Sequence, residues 1–231
     1  NDDELEIYSG TVLKDANGKK LKGNLATLEY LFKFLDAYDF TGEKAYKEAF
    51  INLCNSLVEK QGPEGLWMQF MPNHNDVKSF HPRFNIWYAE SLIRAFETTN
   101  DRKYLEAAAK TARAYQKAQK ADGTIYYKNY IDGKLPDRGS ICGSSVAFSG
   151  ILWMKLAQNG YDEFNDNIDL SANWLLKNRY KSDHPDVNLA GGVINTRVRY
   201  NRNNKIWFVN RDVGTSFALR FFKDYINYKF D

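Results

Sequence analysis

Three stretches of this chain read alike, and a recurring unit decides the architecture before any single residue does. They are Thr41-Gly42-Glu43-Lys44-Ala45-Tyr46-Lys47-Glu48-Ala49, Asn100-Asp101-Arg102-Lys103-Tyr104-Leu105-Glu106-Ala107-Ala108 and, more loosely, Asn159-Gly160-Tyr161-Asp162-Glu163-Phe164. Their aromatic anchors Tyr46, Tyr104 and Phe164 lie 58 and 60 residues apart. Each anchor opens a segment of helical period, and each such segment is preceded by another. The first members are expected at roughly 24–38, 83–98, 142–158 and, unpaired, 212–228; the second at roughly 43–61, 101–120 and 161–179.

Leu28, Leu31, Phe32 and Leu35 recur at i, i+3, i+4 and i+7, and Ala107, Ala108, Ala112 and Tyr115 form a comparable stripe. The breaks Tyr38-Asp39-Phe40-Thr41-Gly42 and Thr98-Thr99-Asn100-Asp101 are expected to cap the second helix of each pair. Beyond each second helix comes a glycine with an apolar run: Gly65-Leu66-Trp67, Gly123-Thr124-Ile125-Tyr126 and Gly192-Val193-Ile194. These predict short extended rungs. Turns within pairs take about five residues, whereas the connections at roughly 62–82, 121–141 and 180–210 are long. Loops beyond ~15 residues in a compact domain are usually functional. All three leave the same end of the pairs and therefore gather on one face.

Composition narrows the function classes. The chain has 231 residues, 43% of them hydrophobic, enough for a sizeable core. We expect an N-terminal extension over 1–23 and one domain over 24–231. Lys+Arg 32 against Asp+Glu 29 leaves +3, too balanced for a nucleic-acid or membrane surface. No run of ~18 apolar residues spans a bilayer. Cys54 and Cys142, far apart in apolar helical patterns, read as buried free thiols. The chain opens on Asn1 rather than Met, so a removed leader, an engineered boundary or a larger parent is expected, with a secreted, periplasmic or cell-surface location.

Helical hairpins of this length, with long Gly-apolar loops on one face, resemble the (α/α) toroid. That fold is shared by many polysaccharide lyases, several glycoside hydrolase families, sugar 2-epimerases and the C-terminal domain of glucuronyl C5-epimerases. The resemblance covers roughly 24–228 and implies an all-α partial toroid of about seven helices, with short β-hairpins in the long loops. A full ring has twelve. Trp87-Tyr88-Ala89, followed by Leu92-Ile93-Arg94-Ala95-Phe96, resembles the Trp-Tyr helix of the C5-epimerases, although Phe84-Asn85-Ile86 stands where that family has Glu-Pro-Gly. The resemblance also implies a cleft over the N-termini of the inner helices, the first of each pair. Free N–H groups and positive dipole ends there suit anionic or hydroxylated ligands independently of any family.

Three clusters fall at those junctions. The first is His81-Pro82-Arg83-Phe84-Asn85-Ile86-Trp87-Tyr88-Ala89-Glu90; the second is Asp137-Arg138-Gly139-Ser140-Ile141-Cys142-Gly143-Ser144-Ser145. The third is Arg211-Asp212-Val213-Gly214-Thr215-Ser216, preceded by an alternating run that predicts a β-hairpin projecting Arg197 and Arg199, turning at Asn203-Asn204 toward Trp207. Arg binds carboxylates bidentately, so a uronic-acid or sulfated glycan is the expected partner.

A hydrolase needs two carboxyl groups about 5–9.5 Å apart, for which Glu90, Asp137 and Asp212 are candidates, with Glu64 also at hand. A lyase needs cations on the uronate carboxylate and a base such as His81 or Tyr88. Arg83, Asn85, Arg138, Arg199 and Arg211 are the expected polar contacts, and Trp67, Tyr126, Tyr127 and Trp207 the expected sugar-stacking rings. His74 and His81 share one long loop and His184 lies in another, with no His-Glu-x-x-His or Cys-x-x-Cys spacing, so neither a metal nor another cofactor is expected. A non-catalytic glycan-binding module fits the same face.

Overall fold

The computed structural model describes residues 31–70, 72–136, 140–200, 205–209 and 212–230, with the backbone alone at 197–200, 205–209 and 212. Seven α-helices appear among them: α1 (Lys33–Thr41), α2 (Lys44–Lys60), α3 (Phe84–Thr99), α4 (Arg102–Ala118), α5 (Gly143–Ala157), α6 (Asn165–Lys177) and α7 (Asp212–Phe230). They form a partial (α/α) toroid, with α1, α3, α5 and α7 as its inner helices. The strands are short. β1 (Ser79–Phe80) pairs antiparallel with β2 (Asn129–Tyr130), and β3 (Ile141–Cys142) joins the hairpin β4 (Thr196–Tyr200)–β5 (Lys205–Val209). The expected hairpin is present in the backbone; its turn at Asn203-Asn204 lies outside the described residues.

The turns inside pairs are tighter than the sequence suggests. Residues 38–41 continue α1 rather than breaking it, and Gly42 ends it in the left-handed region (φ 74°). Between α3 and α4, Asn100 takes that position (φ 60°), and Asp101 accepts the Lys103 N–H at 3.1 Å as the helix cap. Residues 24–30 of the first expected helix lie outside the described residues.

α5 explains its own position. Gly143, Ser144, Ser145, Ser149 and Gly150 are all small, and apart from Lys155 in the last turn the rest of the helix is apolar on every side. A helix without a polar face must be surrounded, and α5 is: α3, α4, α6 and α7 all pack on it. The core runs continuously through it, with Trp87, Trp153 and Trp174 buried in their helices. Cys54 and Cys142 are both free and buried.

The helix pairs are joined by a repeated corner. After α2 and after α4 the chain turns at Gly65 (φ 80°) and Gly123 (φ 88°). Gly62 N–H donates to Leu66 O at 2.8 Å, and Lys120 N–H to Thr124 O at 2.9 Å. Each corner presses against the next pair's outer helix: a Cβ on Gly65 would strike Lys110 O, and one on Gly123 would strike Leu170 O. The glutamine ending each helix ties the same seam. Gln61 Nε2 donates to Ala107 O and Thr111 Oγ1 of α4, and Gln119 Nε2 to Ser171 Oγ of α6. The 58-residue period is thus built from one device used twice.

Candidate functional site

The three long loops gather over the N-termini of α3, α5 and α7, and buried amides lock them there. Asn85, in the first turn of α3, is fully enclosed. Its Oδ1 accepts from Trp67 N and Asn73 Nδ2, both at 3.1 Å, while its Nδ2 donates to Asn73 Oδ1 at 3.3 Å. Asn195 does the same for α5: its Oδ1 accepts Ser144 N–H at 2.9 Å and its carbonyl accepts Gly143 N–H at 2.7 Å. Ser145 Oγ donates to Pro82 O, joining the two junctions. Asn85 therefore holds the floor of this face. Asn73 and Asn195, which hold it alongside, escape sequence reasoning because an asparagine in a loop carries no signal of burial. An Asn inside an otherwise apolar rung is the one hint.

Arg83 and His81 stand on this floor. Arg83 Nη1 donates to Ser144 Oγ across to α5 at 3.1 Å, while its Nε is buried with no hydrogen-bond partner. No carboxylate among the described residues pairs with it. His81 Nδ1 accepts the Arg83 N–H at 3.2 Å, which places the neutral ring's proton on Nε2. Its carbonyl accepts from Tyr115 Oη at 2.8 Å. The imidazole meets Phe84 and Tyr127 edge-on, with centroids 5.5 and 5.7 Å away. Tyr127 is 42% exposed.

Burial, and after it the Arg83 charge, hold the His81 imidazole down at about 4. It is thus a neutral Nε2–H donor, not a cation, across ordinary pH. Its lowered pKa contributes stability that is present above the ordinary histidine value of about 6.5 and is lost as pH falls from there toward 4. We expect an NMR titration of His81 to give a midpoint near 4; a midpoint near 6.5 would show the ring to be open to water.

Other expected site residues are placed differently. Trp67 is enclosed in the core, its Nε1 donating to Leu57 O at 2.8 Å, so it offers no face to a sugar. Tyr88 lies behind it, packed edge-on against Trp67, Phe70 and Phe84. Tyr126 is half-buried with Lys120 over its ring. Glu90 is 4% exposed and held by Lys155 and Arg220, deep between α3, α5 and α7 rather than at their N-termini. Asp137, Arg138 and Arg211 lie outside the described residues, as do the side chains of Arg199, Trp207 and Asp212. Among the described residues no three His, Cys, Asp or Glu side chains gather as a metal site, and no helix is long and apolar enough to cross a membrane.

Against known proteins, a domain of unknown function (DUF7814) matches residues 1–53. No curated protein matches the chain by sequence. Solved structures share its fold. A possible member of the GH105 family from Salmonella enterica superposes with a TM-score of 0.68 at 13% identity, over 98% of this chain and 66% of its own. The unsaturated glucuronyl hydrolase of Bacillus sp. GL1, responsible for glycosaminoglycan degradation, gives 0.59 at 15%, over 83% of this chain and 55% of its own. A family 76 glycoside hydrolase (mannosidase) from Bacteroides thetaiotaomicron gives 0.57 at 14%, over 87% and 53%. The chain thus spans two thirds or less of the length of these structures, and it shares with them the (α/α) toroid.

Proposed function

We propose that this chain is a carbohydrate-active protein that takes a uronic-acid-containing oligosaccharide on the inner-helix N-terminal face and cleaves it there. Arg83 carries this reading. A half-buried guanidinium, anchored by Ser144 and faced by no described carboxylate, is a cation whose charge no described group answers. A sugar carboxylate satisfies it with a charge-assisted bond. His81 Nε2–H adds a neutral donor, and exposed Tyr127 a ring for the sugar's C–H face.

Fold alone leaves the sugar open, since one solved neighbour is a glucuronyl hydrolase and another a mannosidase. The unpaired arginine tips the choice toward a uronate. Asp137 and Asp212 are the carboxylates we assign to hydrolysis, and Arg138, Arg199 and Arg211 the further cations we assign to the substrate's carboxylates. β-Elimination is the competing chemistry, and a polysaccharide substrate suits a secreted or cell-surface location.

A second reading, glycan binding without turnover, draws on one specific observation. Glu90 and Tyr88, the acid and the phenol expected on α3, are occupied in the core. The two readings separate on a panel of uronic-acid polysaccharides, following absorbance of unsaturated uronate together with reducing ends. A rise in both means elimination; reducing ends alone mean hydrolysis; affinity with neither means a binding module. In every case we expect Arg83→Ala to weaken uronate binding about tenfold or more, the loss of one charged hydrogen bond, with neutral sugars unaffected in titration calorimetry. Equal binding of uronate by the variant would sink the proposal.

A further inference from the structure

Beside the Arg83 floor rises a lip made by β1 and β2, where Ser79 pairs with Tyr130 and Phe80 with Asn129. Phe80 leads directly into His81, and Tyr127, two residues before β2, packs on the His81 ring, so the lip borders that floor. Three exposed lysines gather on it. Lys128 Nζ lies 5.2 Å and Lys134 Nζ 5.7 Å from the centroid of the same ring, Tyr130. Lys78 precedes Ser79; its carbonyl accepts the Ile131 N–H at 3.0 Å, while its Nζ donates to Asn75 Oδ1 at 2.7 Å in its own turn.

Two features set this cluster apart from an ordinary solvated face. First, none of the three lysines pairs with a carboxylate among the described residues; Asp132, close in sequence, accepts the Lys134 backbone N–H instead. Two ammonium groups share one ring rather than spreading apart, which like charges otherwise do. Second, Lys78 sits in the left-handed region (φ 53°), at the close of the tight His74–Ser79 turn. Glycine suits that position and lysine costs backbone energy there.

We propose that this lip is an auxiliary subsite for an anionic group on a neighbouring sugar of a polysaccharide chain. Lys128 and Lys134 supply the charge, and the Tyr130 ring holds the two ammonium groups together. The inference rests on the uronate reading of Arg83 and extends it from one sugar to a chain. Sulfate and carboxylate share the necessary chemistry, and the probes below tell them apart.

Binding of polygalacturonate, dextran sulfate and neutral dextran is compared with binding of digalacturonate, too short to reach both places. The double variant Lys128→Ala/Lys134→Ala removes only exposed side chains, so the fold is kept. At low salt its Kd for the preferred polymer is expected to rise about five- to tenfold, with a shallower salt dependence. Digalacturonate affinity stays unchanged. Preference for polygalacturonate identifies a carboxylate and preference for dextran sulfate a sulfate. The subsite is overturned if the variant holds both polymers as tightly as the parent, or if the parent prefers neither over dextran. Should polymer binding depend on the lysines while digalacturonate ignores Arg83→Ala, the uronate reading of Arg83 fails and the lip stands alone.

Discussion

Gly65→Ala and Gly123→Ala should each lower stability by about 3–5 kcal/mol, some 10 °C in Tm for a chain of this size. Two costs combine. Both positions lie at positive φ, where alanine is strained by about 1 kcal/mol or more. Both also press on a carbonyl of the next outer helix, Lys110 O and Leu170 O, and a backbone atom cannot rotate away as a side chain would. Gly160 separates the two terms. It shares the left-handed backbone (φ 89°), but a Cβ added there would meet nothing within 4 Å, so Gly160→Ala should cost only the strain. Thermal melts of the three variants decide the matter: equal losses would mean that the corners do not clamp the helix pairs together.

Those corners also show why the fold was legible in the sequence. The 58-residue period marks a unit whose turn demands a glycine and whose seam demands a glutamine, so the same residues recur wherever the geometry recurs. Helix ends were less legible. Tyr38-Asp39-Phe40-Thr41 looks like a break because Asp and Thr favour caps, yet the helix continues to Thr41 and a single left-handed glycine ends it. The site was legible only in part. The His81-Pro82-Arg83 junction stands at an inner-helix N-terminus, as the loop lengths require. What periodicity cannot show is which side of a junction faces water. Trp67 and Tyr88, read as loop aromatic and helix phenol, face inward because Asn85 and Asn73 draw the loop down onto α3. Tyr127, two residues before β2, stays exposed.

Glu90→Gln should destabilise the fold by about 2–4 kcal/mol at neutral pH while leaving uronate affinity intact. The carboxylate lies on α3, with Lys155 from α5 and Arg220 from α7 as its partners, so one buried charge joins three inner helices. Burial by itself raises its pKa; the two cations outweigh burial and hold it below the ordinary carboxylate range. The sign follows. A depressed pKa contributes stability that is fully present above the unfolded value of about 4.3 and is lost as pH falls through the folded one. The variant has no such proton to bind. Urea midpoints of parent and variant should therefore differ most near pH 7 and converge as the pH drops below about 4. His81 titrates in both proteins and cancels from the difference. If the variant instead kept full stability and lost turnover, Glu90 would be a reacting group, and the cleft would extend far deeper between the helices than its loops suggest.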